Sequence, residues 1–189
     1  MASETDVCNI ALIELGQSSI ADISDTKSEP ARLCKARYES VRDAVQRAHP
    51  WNSCISRGQW ALDPTAPLFG FSGRYKLSTD PWCLRVLQAA DRDTKFKVEG
   101  RWLLTDAGDP LNVLFIARVT DVAQWDPMLV QAVGLYLAHS IAFKLTTNRS
   151  LENDMRQKFV QILREARSID GMEGSPDEYD DSYFLEART

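Results

Sequence analysis

An α+β fold, mainly α, is predicted for this chain: a four-helix domain with a β-rich insertion between helices 2 and 3 and an extended C-terminal tail. Three observations predict it. Apolar residues recur at three- and four-residue spacing toward both ends of the chain, short β-prone runs broken by Pro, Gly and Asp fill the middle, and the last stretch is acidic. On this reading residues 1–52 supply helices 1 and 2, 53–124 the insertion, 125–170 helices 3 and 4, and 171–189 the tail.

Ser3 followed by Asp6 has the spacing of a helix-start cap, Val7, Ile10, Ala11, Ile13 and Leu15 follow, and Gly16 offers a C-terminal stop. The second helix is predicted from about Ser28, with Pro30 in its first turn, to Pro50. Cys34, Tyr38, Val41, Val45 and Ala48 fall on one stripe of it, and Lys35, Arg42 and Asp43 are assigned to the opposite face. The β-prone runs are Ile55–Leu62, Arg74–Leu77, Leu84–Gln88, Lys95–Val98, Arg101–Thr105 and Val113–Val119, which predict a mainly antiparallel sheet. Glu99-Gly100 suits a tight hairpin turn, and residues 106–110 read as a loop.

Asp126-Pro127 opens a third helix that is apolar on most sides, through Leu129, Val133, Leu137 and Ile141, and that is therefore predicted to be central. The fourth helix, from Ser150, repeats Leu151, Met155, Phe159, Ile162, Ala166 and Ile169, with Gly171 and Gly174 as its stop. Glu152 to Arg156 and Asp154 to Lys158 are acid-before-base pairs four residues apart on its outer side.

The 44% hydrophobic and 26% charged content excludes a wholly disordered or fibrous chain. The net charge of −5 is unevenly spread, because residues 170–189 alone carry −6 and leave the body near +1. A nearly neutral body lacks the cationic excess needed to neutralise many phosphates, which argues against tight non-specific nucleic-acid binding. The polar N-terminus and the interruption of every apolar run predict neither a secretion signal nor a membrane span. Cys8, Cys34, Cys54 and Cys83 lie too far apart for a zinc knuckle or redox pair and read as buried thiols in a cytoplasmic setting.

No catalytic, cofactor or metal site is assigned. His139 lies in the apolar third helix, His49 lies at a helix end, and neither has a nucleophile-elbow neighbour. The turn Gly70-Phe71-Ser72-Gly73 lacks the lysine of a phosphate-binding loop. Glu99 and Asp106 on adjoining strands are the carboxylate pair to test for glycan cleavage. Five tryptophans are many for this length, and of these Trp51, Trp82, Trp102 and Trp125 are candidates for contacts between subunits or with another protein. Stacking on single-stranded nucleic acid would need interleaved cations, and Lys95, Lys97, Arg101 and Arg118 come nearest to that arrangement.

The segment 31–52, with Cys34-x-x-x-Tyr38-x-x-x-Arg42-Asp43 running into His49-Pro50-Trp51-Asn52, resembles the tail tubular protein A family of short-tailed bacteriophages. The likeness continues through Arg57, Phe69-Gly70-Phe71, Leu84-Arg85-Val86-Leu87, Val98-Glu99-Gly100-Arg101, Leu104-Thr105-Asp106 and Val119-Thr120-Asp121, and covers roughly residues 5–165. The resemblance implies a structural adaptor in the virion, made in the host cytoplasm, that joins head to tail. It implies a dodecameric ring bound to the portal protein on one side and the tail nozzle protein on the other. It implies further that DNA passes through the bore without sequence-specific binding, and it makes tail fibres a further candidate partner. A closed ring of heterologous contacts avoids open-ended polymerisation.

The tail after Gly171 matches no motif of that family. Its Asp177, Glu178, Tyr179, Asp180, Asp181, Tyr183, Phe184 and Leu185 combine anionic and aromatic character and suit docking on the portal, the aromatic residues in apolar pockets and the acids against basic residues. The alternatives are a glycan hydrolase of the virion tail acting on cell wall or capsule, and a nucleic-acid-binding regulator.

Overall fold

A computed structural model describes residues 2–25 and 27–173, with side chains as far as residue 169. The fold is α+β: four α-helices and two three-stranded antiparallel sheets, with all six strands between the second and third helices in chain order. The helices are α1 (Glu4–Glu14), α2 (Glu29–Ala48), α3 (Pro127–Thr146) and α4 (Arg149–Glu173). The strands are β1 (Ile55–Trp60), β2 (Gly73–Lys76), β3 (Cys83–Ala89), β4 (Phe96–Glu99), β5 (Trp102–Thr105) and β6 (Leu111–Ala117).

The helix ends follow the local chemistry of the sequence. Ser3 and Asp6 form a reciprocal capping box on α1. The chain leaves α1 through Gly16 at φ 68°, with Gly16 N–H donating to Ile13 and Gln17 N–H to Leu12, a Schellman closure. Ser28 caps α2 and Asp126 caps α3, each with a proline in the first turn.

Helix α3 is the centre of the helical layer, packed against α1, α2 and α4. By length and composition it could cross a membrane, but Leu129, Val133, Leu137 and Ile141 are sealed within the helical core. Gly134 sets the approach of α1, since a Cβ placed there would stand 2.7 Å from Ile10 Cγ2.

Several expectations need correction. Ala48 is exposed, because the inward place in the last turn of α2 goes to Gln46. Arg42 is buried rather than solvated, with its Nε donating to Asp43 at 3.0 Å. Helix α4 continues past Gly171 to Glu173, since one glycine weakens a helix without ending it. Lys158 reaches across to Glu14 of α1 at 2.6 Å instead of back to Asp154.

The single sheet expected from the strand runs is two sheets, ordered β1-β6-β3 and β2-β5-β4. Alternation on β6 lets the first of them serve two cores at once. Ile116 joins the helical cluster, whereas Leu111, Val113, Phe115 and Ala117 join a second cluster with Tyr75 and Leu103 of the outer sheet, β2-β5-β4, and with Leu77 just past β2. On β3 the inward residues are Cys83, Val86 and Ala89, three apart, because register shifts between Cys83 and Arg85 and between Val86 and Gln88 each insert a residue.

The two layers are fastened at α2. Gln46, fully buried, donates through Nε2 to the Val119 carbonyl at 2.8 Å and accepts from the Val119 N–H at 3.2 Å. Asp43 accepts from Arg118 Nε at 3.1 Å, and Arg47 donates to the Leu84 carbonyl. The Trp125 indole donates to the same Val119 carbonyl at 3.0 Å.

Candidate functional site

The outer sheet carries the most unusual surface of the described residues. Its inner face carries Tyr75, Leu103 and Thr105 with Phe96 packed beside them, so the alternate residues of the β4–β5 hairpin, Lys97, Glu99, Trp102 and Leu104, share the opposite face. Glu99 and Trp102 face each other across a two-residue turn in which Gly100 has φ 59°, as the first central position of a type II′ turn requires. The β1–β2 connection folds over this hairpin. Its tip exposes Leu68 at 98% and Phe69 at 87% of their surfaces. With Phe71, Arg74, Lys97 and Trp102 they line an open depression of about 400 Å³.

Arg74 braces that surface. Its guanidinium lies 4.3 Å above the Trp102 ring and donates to Asp63 Oδ1 at 2.9 and 2.8 Å. The hydrogen bond from Arg74 holds the Asp63 carboxyl below its ordinary range. Lys97 pairs with Glu99 at 2.7 Å. The result is an apolar tip beside an arginine-stacked tryptophan and balanced charges. Such composition suits the buried centre of a protein interface, where aromatic residues and arginine are enriched.

The four tryptophans proposed from sequence as contacts divide into two pairs. Trp51 and Trp125, at 1% and 7% exposure, are spent on this chain's own helical core, so they offer almost no surface to a neighbour. The Trp51 indole donates to the Val45 carbonyl at 3.1 Å, and its ring meets His49 edge-on. Trp82 and Trp102 keep surface. Trp82, 37% exposed, stands between Arg101 at 4.0 Å and Arg118 at 5.2 Å. Arg101 also donates to the Cys83 carbonyl at 2.8 Å and the Ser78 carbonyl at 2.6 Å, while Arg118 is bound to Asp43. Both cations considered for base stacking beside Trp82 are thus committed within the fold.

Glu99 and Asp106 are not brought together. Glu99 is opposite Trp102, and Asp106 follows Thr105 at the far end of the same hairpin. Four residues along a strand separate them by about 13 Å, beyond the roughly 5–9.5 Å spacing of glycosidase carboxylate pairs. Asp106 instead accepts from the Ser72 N–H at 2.7 Å, holding the end of the exposed loop. His139 donates through Nδ1 to the Glu152 carbonyl at 3.1 Å and ties α3 to α4.

All four cysteines are buried and free. The hydrogen bond to Cys34, and then burial, push the Cys8 thiol up, and burial pushes Cys54 up to about 11. Buried neutral thiols are poor nucleophiles and poor metal ligands. Among the described residues no three His, Cys, Asp or Glu side chains stand close enough to hold a metal ion.

The tail residues assigned to portal docking, Asp177, Glu178, Tyr179, Asp180, Asp181, Tyr183, Phe184 and Leu185, lie outside the described residues. Sequence reasoning missed Leu68 as a site residue and used Phe69 only as part of a likeness. The available signal was an apolar Leu-Phe-Gly-Phe run directly after Pro64 and Pro67, with neither strand alternation nor helical spacing to give it a buried face. Compared with known protein families and characterised proteins, the chain matches no family model and no curated protein.

Proposed function

We propose that this protein is a structural head-to-tail adaptor of a short-tailed bacteriophage, similar to tail tubular protein A, and that it performs no chemistry. In this reading α1 to α4 form the adaptor domain, the six strands are an insertion between α2 and α3, and the residues beyond Glu173 extend to a partner. Copies of the chain close into a ring, twelve by analogy with the family, between the portal protein and the tail nozzle protein. DNA passes through the bore.

One observation carries the reading furthest: Leu68 and Phe69 are held almost fully exposed beside Trp102 on a braced sheet. An isolated chain gains nothing from keeping two large apolar side chains in water, whereas a subunit that covers them on assembly gains roughly 1.5–3 kcal/mol for each one buried. The near-neutral body supports a conduit, because a strongly basic bore would grip the moving duplex. The portal is the proposed partner of the acidic, aromatic tail.

Mixing the purified chain with its portal protein and imaging the product by electron microscopy tests this reading. A ring seated on the portal is the expected result. A chain that stays single in the presence of its portal, or that turns over a glycan substrate, overturns it.

A further inference from the structure

Helix α4 buries Met155, Phe159 and Ala166 against α3 and turns a different residue set outward. Arg149, Asn153, Arg156, Val160, Arg164 and Arg167 follow one another at intervals of 4, 3, 4, 4 and 3 residues, which places them on a single stripe. All six are exposed. At 1.5 Å per residue the stripe is about 27 Å long. No acidic residue falls within it; Glu152, four residues before Arg156, and Asp170, three after Arg167, flank it on one side, and Asp154 and Glu165 lie on the other. Arg149 is drawn onto the Phe143 ring at 5.1 Å. Among the described residues Arg156, Arg164 and Arg167 have no carboxylate partner, although Lys158 on the same helix is paired with Glu14. A line of arginines is thus left open beside Val160 in a protein whose net charge is negative.

The chain that leaves this helix supplies the complement. Beyond Glu173 come Asp177, Glu178, Asp180 and Asp181 before any basic residue. Measured back from Glu173 along the helix, Arg167, Arg164 and Arg156 lie at about 9, 14 and 26 Å. Measured forward at roughly 3.3 Å per residue, Asp177 to Asp181 reach about 13–26 Å. The sequence between Glu173 and Asp177 contains Gly174, a residue free of the Cβ restriction on a reversal of the chain. We propose that the acidic segment 177–181 folds back along α4 of its own chain and covers the arginine stripe. Each exposed ion pair is weak, but several in one register on a tether of a few residues act at high effective concentration. The contact stands without the adaptor reading. If that reading also holds, the segment cannot lie on α4 and reach the portal at once, so docking uncovers the stripe.

The full-length R164K chain tests the fold-back, since it keeps the charge and adds an amine that a water-soluble carbodiimide joins to nearby carboxylates. The Lys158–Glu14 pair provides a cross-link in the same digest that reports an intact fold. The expected result is a cross-link from position 164 to the acids of 177–181, within one chain when labelled and unlabelled chains are mixed. Its yield should be unchanged on dilution and lost at about 1 M salt, where the screening length falls to roughly 3 Å. Cross-links found only between labelled and unlabelled chains would assign the stripe to a neighbour's tail and overturn the proposal. A digest with the Lys158–Glu14 product and none from position 164 overturns it as well. So does protection of that amine by a short DNA duplex in a chain that forms no tail cross-link.

Discussion

In the helical layer Leu129, Leu137 and Ile141 of α3 are enclosed by three other helices, whereas over the outer sheet Leu68 and Phe69 of the β1–β2 connection project into water beside Trp102. Both regions are rich in large apolar residues and both are braced by specific polar contacts, Gln46 to Val119 in one and Arg74 to Asp63 in the other. The difference lies in what the apolar side chains touch. Burial within the chain supplies stability, whereas exposure beside a braced sheet supplies surface for a partner. Stability and assembly are therefore expected to respond to different mutations.

The largest effect is expected from Leu137→Ala, which empties a fully buried position in α3. Chemical denaturation should show a loss of about 2–5 kcal/mol, and a loss as small as a surface mutation gives would break the contrast. Gly134→Ala sharpens it, because alanine favours an isolated helix by about 1 kcal/mol over glycine. Here its Cβ would press on Ile10 at 2.7 Å, so a net loss of about 1–3 kcal/mol is expected from overpacking.

Asp63→Asn probes the brace of the outer sheet through pH. The folded carboxyl is held below the unfolded value near 3.8 by Arg74, so it contributes stability above that pH and loses it as pH falls through the folded value. The variant should melt below the parent at neutral pH, and the two melting curves should converge in acid. A constant offset at every pH would show that charge is not the cause. The smallest effect on stability is expected from the Leu68→Ser, Phe69→Ser double variant, within about 0.5 kcal/mol of the parent. The same variant should fail to assemble on the portal, and undiminished ring formation would remove the exposed loop from the interface.

The elements of this fold were legible because their signals are local. Ser28 with Pro30, Asp126 with Pro127, and the Glu99-Gly100 turn specify their ends through contacts a few residues apart, and the structure realises each of them. Arg42 was misplaced because its partner Asp43 is itself drawn to Arg118, 75 residues away. The splitting of one expected sheet into two was hidden for the same reason, since pairing β1 with β6 depends on a contact across some fifty residues of intervening chain.

The exposed platform was harder still to see. Four tryptophans looked alike in the sequence, and only the packing of α2 and α3 consigned Trp51 and Trp125 to the core while arginines held Trp82 and Trp102 near the surface. By itself the sequence determined the helices, the strand runs and the charge asymmetry, because periodicity, capping and composition act within a turn or a strand. Tertiary structure alone decided which apolar residues are hidden and which are offered, because burial depends on what the rest of the chain places alongside.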